Sequence, residues 1–419
     1  MRAIILCAQI FFAISTGANE MIDPVTLHMG ENIILDNGLV QLGIREDGNL
    51  QELSLRGGPN LASSGYWNSN GNGYDEQGAP IAQKFAVLKG DAKIVRQSDE
   101  LVEVAFVREP AAPFFFRTAL HYVLRRGEPG FYIYMTAAHD AQMPAGSITQ
   151  YAYNLRLAPQ HFDYIAVDDT RRHISHSIED EAAADRVMDA TFGFADGRVV
   201  SKYDYTHAIE DGDFNLYGWA GPQAGVWWIQ ASGEYYGSAP FRVLLTSHQT
   251  AKTPIIIWQA HCVHRGGYEI EFRPEDETDW QKIYGPAFIY LNDGGDYDTL
   301  WNDAKGQATT IVKKWPFAWM EHALYPRERG EVTGQLDFDD GTPAADAWVV
   351  LAPEGEHWSH ENRGYHFWSR TDSQGRFNVQ NVRPGRYGLF ALGADQFFEF
   401  ERSGVAVAPG GETALGRLS

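Results

Sequence analysis

The chain has 419 residues, of which 44% are hydrophobic and 13% aromatic, and it contains 42 glycines. This length exceeds one ordinary hydrophobic core, so we expect a large domain followed by a smaller one. With 34 lysines and arginines against 55 aspartates and glutamates, the formal net charge of −21 argues against a nucleic-acid partner.

The first residues have the pattern of a secretory signal peptide. A basic start precedes an apolar run from Ala3 to Ile14, and small residues precede Asn19. The run is too short to span a bilayer, so we expect residues 1–18 to be removed and the mature protein to be secreted, extracellular and not held in a membrane. Cys7 lies inside this segment, which leaves Cys262 alone and predicts a core without a disulfide.

Short β-prone runs separated by turn signals predict strands from Asn32 onward. Within this region, residues Gly65 to Tyr74 hold so many glycines and asparagines that we expect an ordered loop. The acidic, alanine-rich segment Glu179 to Asp189 predicts an exposed short helix or lid. The stretch from Lys202 to His261 alternates apolar runs with glycine and polar turns, so the lysine and the histidine at its two ends could meet across a sheet.

The period of the apolar residues changes after Tyr297. Steps of three and four residues up to Trp315 predict an amphipathic helix packed on the sheets, and Pro316 ends it. Residues 327–419 contain short strand signals spaced by Asp-Gly and Pro-Gly turns, which predict a small β-sandwich. The fold class is therefore all-β, with a large β-domain at 19–325 and a smaller one at 327–419.

Several short motifs follow one another along nearly the whole chain. They are Gly65-Tyr66-Trp67-Asn68, Arg156-Leu157, Lys202-Tyr203-x-Tyr205, Leu245-Thr246-Ser247-His248, Ala260-His261, Tyr284-Gly285-Pro286 and, in the second domain, Tyr365-His366-Phe367-Trp368. Each motif is weak by itself. Taken together and in this order, they resemble the rhamnogalacturonan lyases of polysaccharide lyase family 4.

The resemblance implies a large β-supersandwich similar in shape to the galactose mutarotases, followed by a fibronectin type III-like β-sandwich. It also implies an endolyase that cleaves the rhamnose–galacturonic acid backbone of pectic rhamnogalacturonan I by β-elimination, with no metal or other cofactor. The expected partner is this polysaccharide rather than nucleic acid or a membrane, and we expect a monomer.

The resemblance also assigns site residues. The family's essential lysine and histidine fall on Lys202 and His261, and a groove arginine falls on Arg156. Tyr203, Tyr205 and Arg171 complete the predicted substrate-binding set. Arg171 ranks below Arg156 because it can instead pair with the acidic stretch that follows it.

Elimination from a uronic acid needs three things: an offset for the carboxylate charge, a base within ~3 Å of the hydrogen on the neighbouring carbon, and help for the departing oxygen. A histidine with an ordinary pKa near ~6.5 offers a neutral base at neutral pH, so His261 suits the role. Lys202 would need its pKa lowered from ~10.4 to act as the base, or it can stay charged and pair with the uronate. The sequence leaves this division of roles open.

The residues also allow a metal-site interpretation and three functions other than a lyase. His261-Cys262-x-His264 could suggest a metal cluster, but on a strand His261 points away from the other two, so we expect no metal site. Three other functions compete with the lyase: a non-catalytic pectin- or carbohydrate-binding protein, a glycoside hydrolase with paired carboxylates on the same scaffold, and a mutarotase or epimerase acting on free sugars. An absorbance assay for unsaturated ends separates the lyase from all three.

Overall fold

A computed structural model describes residues 23–74, 80–112, 114–212, 215–248, 250–264, 267–273, 279–393 and 398–419. The predicted signal segment, residues 1–18, lies outside the described residues. Within these ranges, no helix combines the length and the apolar character needed to cross a membrane.

Strands make up most of the described chain before residue 293. In chain order they are β1 Thr26–Met29, β2 Asn32–Asp36, β3 Val40–Arg45, β4 Leu50–Leu55, β5 Ala62–Tyr74, β6 Pro80–Val87, β7 Asp91–Gln97, β8 Leu101–Arg108, β9 Arg117–Arg125, β10 Gly130–His139, β11 Gly146–Ile148, β12 Gln150–Leu157, β13 Tyr164–Ala166, β14 Arg172–Ile174, β15 Asp185–Met188, β16 Thr191–Gly193, β17 Val199–Ser201, β18 Thr206–Ala208, β19 Leu216–Ala220, β20 Gly225–Gln230, β21 Val243–Leu245, β22 Ile255–Cys262, β23 Ile270–Phe272 and β24 Trp280–Asn292.

Helices are few in the described residues, and seven strands follow residue 329. The α-helices are α1 Ile178–Ala183 and α2 Tyr297–Lys314, and 3₁₀ helices lie at Pro159–His161, Lys202–Asp204 and Ile209–Asp211. The remaining strands are β25 Gly330–Leu336, β26 Trp348–Pro353, β27 Phe367–Arg370, β28 Arg376–Val382, β29 Gly385–Leu392, β30 Glu399–Val407 and β31 Glu412–Leu418.

The described strands of the larger domain form two large sheets that pack face to face. The first sheet contains β1 to β6 with β11, β12, β22 and β23, and the second contains β7 to β10 with β13, β14, β19, β20 and β24. Side chains from both sheets share one buried core, in which Trp67 and Trp258 of the first sheet pack with Tyr122 and Trp228 of the second. The larger domain is therefore a two-sheet sandwich closed by aromatic burial.

The expected loop at Gly65 to Tyr74 is wrong, because these residues belong to the 13-residue strand β5. A Cβ atom at Gly65 would lie 2.3 Å from Tyr153 Oη, and one at Gly71 would lie 1.8 Å from the carbonyl oxygen of Ser147. Both glycines therefore allow neighbouring strands and side chains to approach the β5 backbone closely. The composition suggested a loop, whereas the packing requires a strand with glycine at these two positions.

The predicted amphipathic helix is confirmed as α2. Asp296 begins it, since its carboxylate accepts the backbone N–H of Thr299 at 2.9 Å. The buried face, which includes Trp301 and Ala304, packs on the second sheet against Trp227 and other buried side chains. This helix covers the face of the second sheet opposite the shared core.

The smaller domain is a second sandwich. Its two sheets have the orders β28-β25-β31 and β27-β26-β29-β30, and side chains such as Val332, Val349 and Leu389 are buried between them. The all-β class, with a large and a small sandwich, is confirmed. The exact division at residue 327 stays a prediction.

The two domains meet through a buried ionic cluster. Glu234, in the segment after β20, accepts hydrogen bonds from Arg329 at 2.6 Å and from Arg383 at 2.7 Å, and all three side chains are buried. Beside this cluster, the Lys282 ammonium of β24 donates to the carbonyl oxygen of Asn362 at 2.9 Å. The smaller sandwich is therefore fixed to the larger one by charged groups that are removed from water.

Candidate active site

A polar cavity of about 530 Å³ lies on the face of the first sheet opposite the shared core. Its floor follows the strand register: Asn70 of β5 pairs with Gln150 of β12, and Gln150 pairs with Cys262 of β22. Because side chains alternate along a strand, these polar residues face the cavity while their neighbours, such as Tyr151, face the core. The full lining is Asn70, Phe85, Thr149, Gln150, Asn154, Asp189, Lys202, Leu245, His248, Ile257, Gln259, Cys262, Val263 and His264.

Lys202 enters this cavity from the 3₁₀ helix Lys202–Asp204. Ser201 and Asp204 cap that helix reciprocally, since Asp204 accepts the Ser201 N–H at 2.9 Å and Ser201 Oγ accepts the Tyr203 N–H at 3.3 Å. The lysine is only 4% exposed, and its ammonium forms an ion pair with the Asp189 carboxylate. Local capping thus directs a buried cation into the cavity.

Asp189 lies in the turn between β15 and β16, at the mouth of the cavity. The next residue, Ala190, accepts the backbone N–H of Lys202 at 2.9 Å, which holds the turn against the 3₁₀ helix. The hydrogen bond from Lys202 lowers the pKa of the Asp189 carboxyl below its usual range. The acidic segment before it forms α1, as predicted, and then continues into β15.

His248 is the histidine that lies beside Lys202. It follows β21 in a segment held by Thr246, whose hydroxyl donates to the Tyr205 carbonyl at 2.5 Å and whose own carbonyl accepts the Ile257 N–H at 2.9 Å. Burial lowers the pKa of His248 to about 4, and the nearby charge of Lys202 acts in the same direction. The imidazole is therefore neutral at neutral pH, next to an ammonium group.

His264 and Tyr203 form the other side of the cavity. The Tyr203 hydroxyl and His264 Nε2 are 2.6 Å apart, and the Lys202 ammonium lies 5.1 Å from the centre of the Tyr203 ring. His264 lines the cavity itself. The predicted place of Tyr203 next to the site therefore agrees with its contacts, while its role in binding substrate stays a prediction.

Arg156 lies near the same cavity, on β12 two residues beyond Asn154. Its guanidinium donates to the Tyr66 hydroxyl at 3.2 Å and lies 5.5 Å from the centre of that ring. Its charge is close enough to contribute to the lowered pKa of His248. Arg156 thus lies close to the cavity, and its role in binding substrate stays a prediction.

His261 does not join Lys202, and the expected pairing of these two side chains is wrong in this structure. The imidazole is buried on the core side of β22, where its Nε2 donates to the carbonyl oxygen of Ile148 at 3.0 Å. Burial lowers its pKa well below the usual value, and the nearby cations that add to this effect are Arg242 and Lys282 rather than Lys202. His261 therefore helps to hold β22 in place instead of facing the cavity.

Tyr205 and Arg171 are not among the described residues that line this cavity, and their predicted contact with substrate stays a prediction. The Tyr205 ring packs in the shared core, and its hydroxyl lies 2.5 Å from His173 Nε2. Arg171 pairs with Asp168 at 2.5 Å and donates to the carbonyl oxygen of Thr206 at 2.7 Å. It lines a separate cavity of about 340 Å³ next to α2.

The sequence alone assigns no role to His248, although this residue ends the motif Leu245-Thr246-Ser247-His248. Along the sequence, a histidine within an apolar run and a histidine after a short strand look alike, so neither pattern shows which histidine faces a cavity. A useful clue was the alternation at His261, Cys262 and His264, because it already placed His261 on one face of the strand and His264 on the other. The structure shows that the cavity lies on the face of His264.

The cavity brings together a lysine and two histidines, with Arg156 nearby, in a chain that is strongly acidic overall. Such a set can bind a carboxylate and move a proton. In the described residues, no three His, Cys, Asp or Glu side chains are grouped closely enough to hold a metal ion.

Comparison with known proteins agrees with this architecture. The model of the rhamnogalacturonate lyase family matches residues 9–191, and the model of polysaccharide lyase family 4, domain II, matches residues 341–415. The fold and the cavity define a two-domain β-sandwich protein with a polar cavity that holds a buried lysine beside two histidines. The chain belongs to the rhamnogalacturonate lyase family, polysaccharide lyase family 4.

Individual relatives place the chain within this family. It is 30% identical over 396 residues to the rhamnogalacturonate lyase of Dickeya dadantii (strain 3937). The matched region covers 93% of this chain and 65% of that protein. It is 22% identical over 315 residues to the probable rhamnogalacturonate lyase B of Aspergillus terreus, covering 68% and 46%. The chain thus spans about half to two thirds of the length of these relatives.

Among solved structures, a galactose mutarotase-like protein from Lactobacillus casei ATCC 334 covers 62% of this chain with a TM-score of 0.35 and 11% identity. A similarity at this level carries no argument about the fold or the activity. The two-sheet sandwich is therefore defined by the strand pairing and the shared core of this chain.

Proposed function

We propose that this protein is a secreted endolyase that cleaves the rhamnose–galacturonic acid backbone of rhamnogalacturonan I by β-elimination without a metal. The observation that carries the proposal is the meeting of Lys202 and His248 in one cavity on the scaffold of this family. The printed names of the relatives, rhamnogalacturonate lyases, support the class of substrate.

Binding of the uronate relies on the local cations of the cavity. The Lys202 ammonium, paired with Asp189, is the buried positive charge that can bind the substrate carboxylate. Arg156 adds a second cation along β12. The net charge of −21 repels a polyanion from a distance, but charges further apart than about 8 Å are screened at physiological salt. The cavity therefore binds by contact rather than by long-range attraction.

Proton transfer is assigned to His248. Because its imidazole is neutral at neutral pH, it can take the proton from the carbon next to the uronate carboxylate. The electron pair of that C–H bond forms a carbon–carbon double bond, the bond from the adjacent carbon to the leaving sugar oxygen breaks, and that oxygen leaves with a proton from a neighbouring donor. Lys202 offsets the charge that develops on the carboxylate during this step.

An absorbance assay on rhamnogalacturonan I tests this proposal, because the new double bond absorbs in the near ultraviolet. We expect the wild-type protein to be active, and Lys202→Ala and His248→Ala to lose roughly 10² to 10⁴-fold in kcat while remaining folded. His261→Ala serves as the comparison: it should lower the melting temperature, because the buried hydrogen bond to Ile148 is lost. Full activity in His248→Ala would contradict the assignment of the base.

The competing functions give different results in the same assay. A hydrolase releases saturated ends, and it needs a pair of carboxylates, whereas Asp189 is the one carboxylate among the described residues that line the cavity. A carbohydrate-binding protein would retain the polymer and release no new ends. A mutarotase or epimerase would leave the polymer length unchanged.

A further inference from the structure

The edge of the cavity formed by β6 exposes an apolar surface that the proposed proton transfer does not use. Phe85 is 57% exposed and Val87 is 41% exposed, and both lie on the same face of the strand because they are two residues apart. Phe85 lines the cavity together with polar side chains. Exposed apolar surface beside a polar cleft is typical of a ligand-binding surface.

The strand register makes this surface continuous with the floor of the cavity. Phe85 pairs with Asn70, Asn70 pairs with Gln150, and Gln150 pairs with Cys262, so one row of side chains crosses four strands. At about 4.8 Å between neighbouring strands, the row is roughly 14 Å long, which is enough for more than one sugar unit. A polymer held at Lys202 can therefore reach Phe85.

The next row has the same character. Val87 pairs with Asn68, and Asn68 pairs with Ala152, which in turn pairs with Gln259. Both rows begin with an exposed apolar side chain on β6, and both reach amides that line the cavity, Asn70 and Gln150 in the first row and Gln259 in the second. The side chains thus change from apolar at the edge to polar and cationic within the cavity.

We propose that Phe85 and Val87 form a platform for the methyl group of a 6-deoxysugar unit, which gives the cleft its preference for rhamnose next to the uronate. This inference rests on the proposed function, since it names the part of the substrate that the same cleft selects. In a backbone that alternates rhamnose with galacturonic acid, every uronate has a neighbour with a methyl group. A polymer of galacturonic acid alone has a carboxylate at each such position, which is unfavourable against an apolar surface.

Binding measurements in the His248→Ala background test the platform without cleavage of the ligand, because Lys202 stays in place to bind the uronate. Isothermal titration would compare a rhamnogalacturonan I oligosaccharide with an oligogalacturonate of equal uronate number. We expect Phe85→Ala to raise the Kd for the first ligand about tenfold, which is the usual effect of losing one methyl contact in an apolar site, and to leave the Kd for the second ligand unchanged. Val87→Ala should change the Kd in the same direction.

The matched control is Val95→Ala on β7, because Val95 is 44% exposed on an edge strand of the other sheet. It should change neither Kd, and the melting temperature of every variant should match that of its parent. An equal loss of binding for both ligands would overturn the methyl preference, and unchanged binding in Phe85→Ala would overturn the platform itself.

Failure of the proposed function would look different. If the wild-type protein releases no unsaturated ends, the lyase assignment fails, but the two titrations still report whether Phe85 selects the deoxysugar. In an active enzyme, Phe85→Ala should raise KM for rhamnogalacturonan I more than it lowers kcat, which separates this variant from Lys202→Ala and His248→Ala.

Discussion

At the scale of single residues, the site depends on the protonation of one histidine. His248 is buried beside Lys202, and both burial and the neighbouring cation disfavour its charged form. The pKa of about 4 keeps the imidazole neutral over the whole neutral range. The same residue type at position 261 is also neutral, but it is used for a structural hydrogen bond.

This protonation gives a prediction on pH dependence. Activity should be on a plateau at neutral pH and fall as the pH drops through about 4, where His248 becomes charged. Because the folded pKa is lowered from about 6.5, the neutral imidazole contributes stability that is fully present above pH 6.5 and is lost as the pH falls toward 4. An NMR titration of His248 measures the pKa directly.

A substitution separates the two causes of the low pKa. In Lys202→Met the cation is gone but the burial remains, so the pKa of His248 should rise while staying below its ordinary value. The same NMR titration on Lys252→Met, which changes a lysine in the segment before β22, provides the control. A pKa that is identical in Lys202→Met and in the wild type would show that Lys202 is not the neighbour of His248.

At the scale of elements, β5 shows how a strand can be built from residues that normally break strands. Gly65 has Tyr153 on one side and Leu50 on the other, so a side chain at this position would overlap both. Asn68 of the same strand accepts the amide of Asn154 at 2.6 Å, which pins the register under the cavity. The glycines and asparagines therefore serve the packing of the site.

A pair of glycine substitutions tests this reading of β5. Gly65→Ala would place a Cβ 2.3 Å from Tyr153 Oη, and the overlap should cost about 1 to 3 kcal/mol of stability. Gly306→Ala in the exposed face of α2 meets no described atom within 4 Å and should stabilise by about 0.5 to 1 kcal/mol. Urea unfolding of both variants measures these changes, and equal effects would mean that conformational preference rather than space governs Gly65.

At the scale of the whole molecule, the two sandwiches are joined by charges that are buried together. The Glu234 carboxylate lies between Arg329 and Arg383. Burial raises the pKa of this carboxyl, but the two arginines outweigh burial, so the pKa is lowered below its usual value. Breaking such a cluster costs far more than removing an exposed ion pair, because the remaining charges stay buried without compensation.

Glu234→Gln tests the strength of this domain contact. The variant leaves two buried guanidinium groups facing a neutral amide, so we expect a loss of about 3 to 5 kcal/mol in the free energy of unfolding. Asp196→Asn removes the exposed partner of Arg198 and should leave stability unchanged within error. Thermal unfolding with tryptophan fluorescence compares them, and a small effect in Glu234→Gln would show that the apolar contacts hold the domains together without the cluster.

The all-β class, the helix α2 and the presence of a second, smaller sandwich could be predicted from the amino-acid sequence alone. These features follow from the spacing of apolar residues along the chain, which is fixed by the two-residue period of a strand and the 3.6-residue period of a helix. The ordered motifs were enough to indicate the family. Lys202 lines the cavity, and its catalytic role stays a prediction.

The identity of the histidine that lies beside Lys202 could not be predicted from the sequence, because it depends on how the sheets pack. Alternation along β22 separates His261 from His264, but the chain does not state which face is covered by the second sheet and which remains open. That choice depends on long-range packing between residues such as Trp67 and Trp228. The cavity and its histidines are therefore products of how the two sheets close on each other, because burial of one face leaves the other for the substrate.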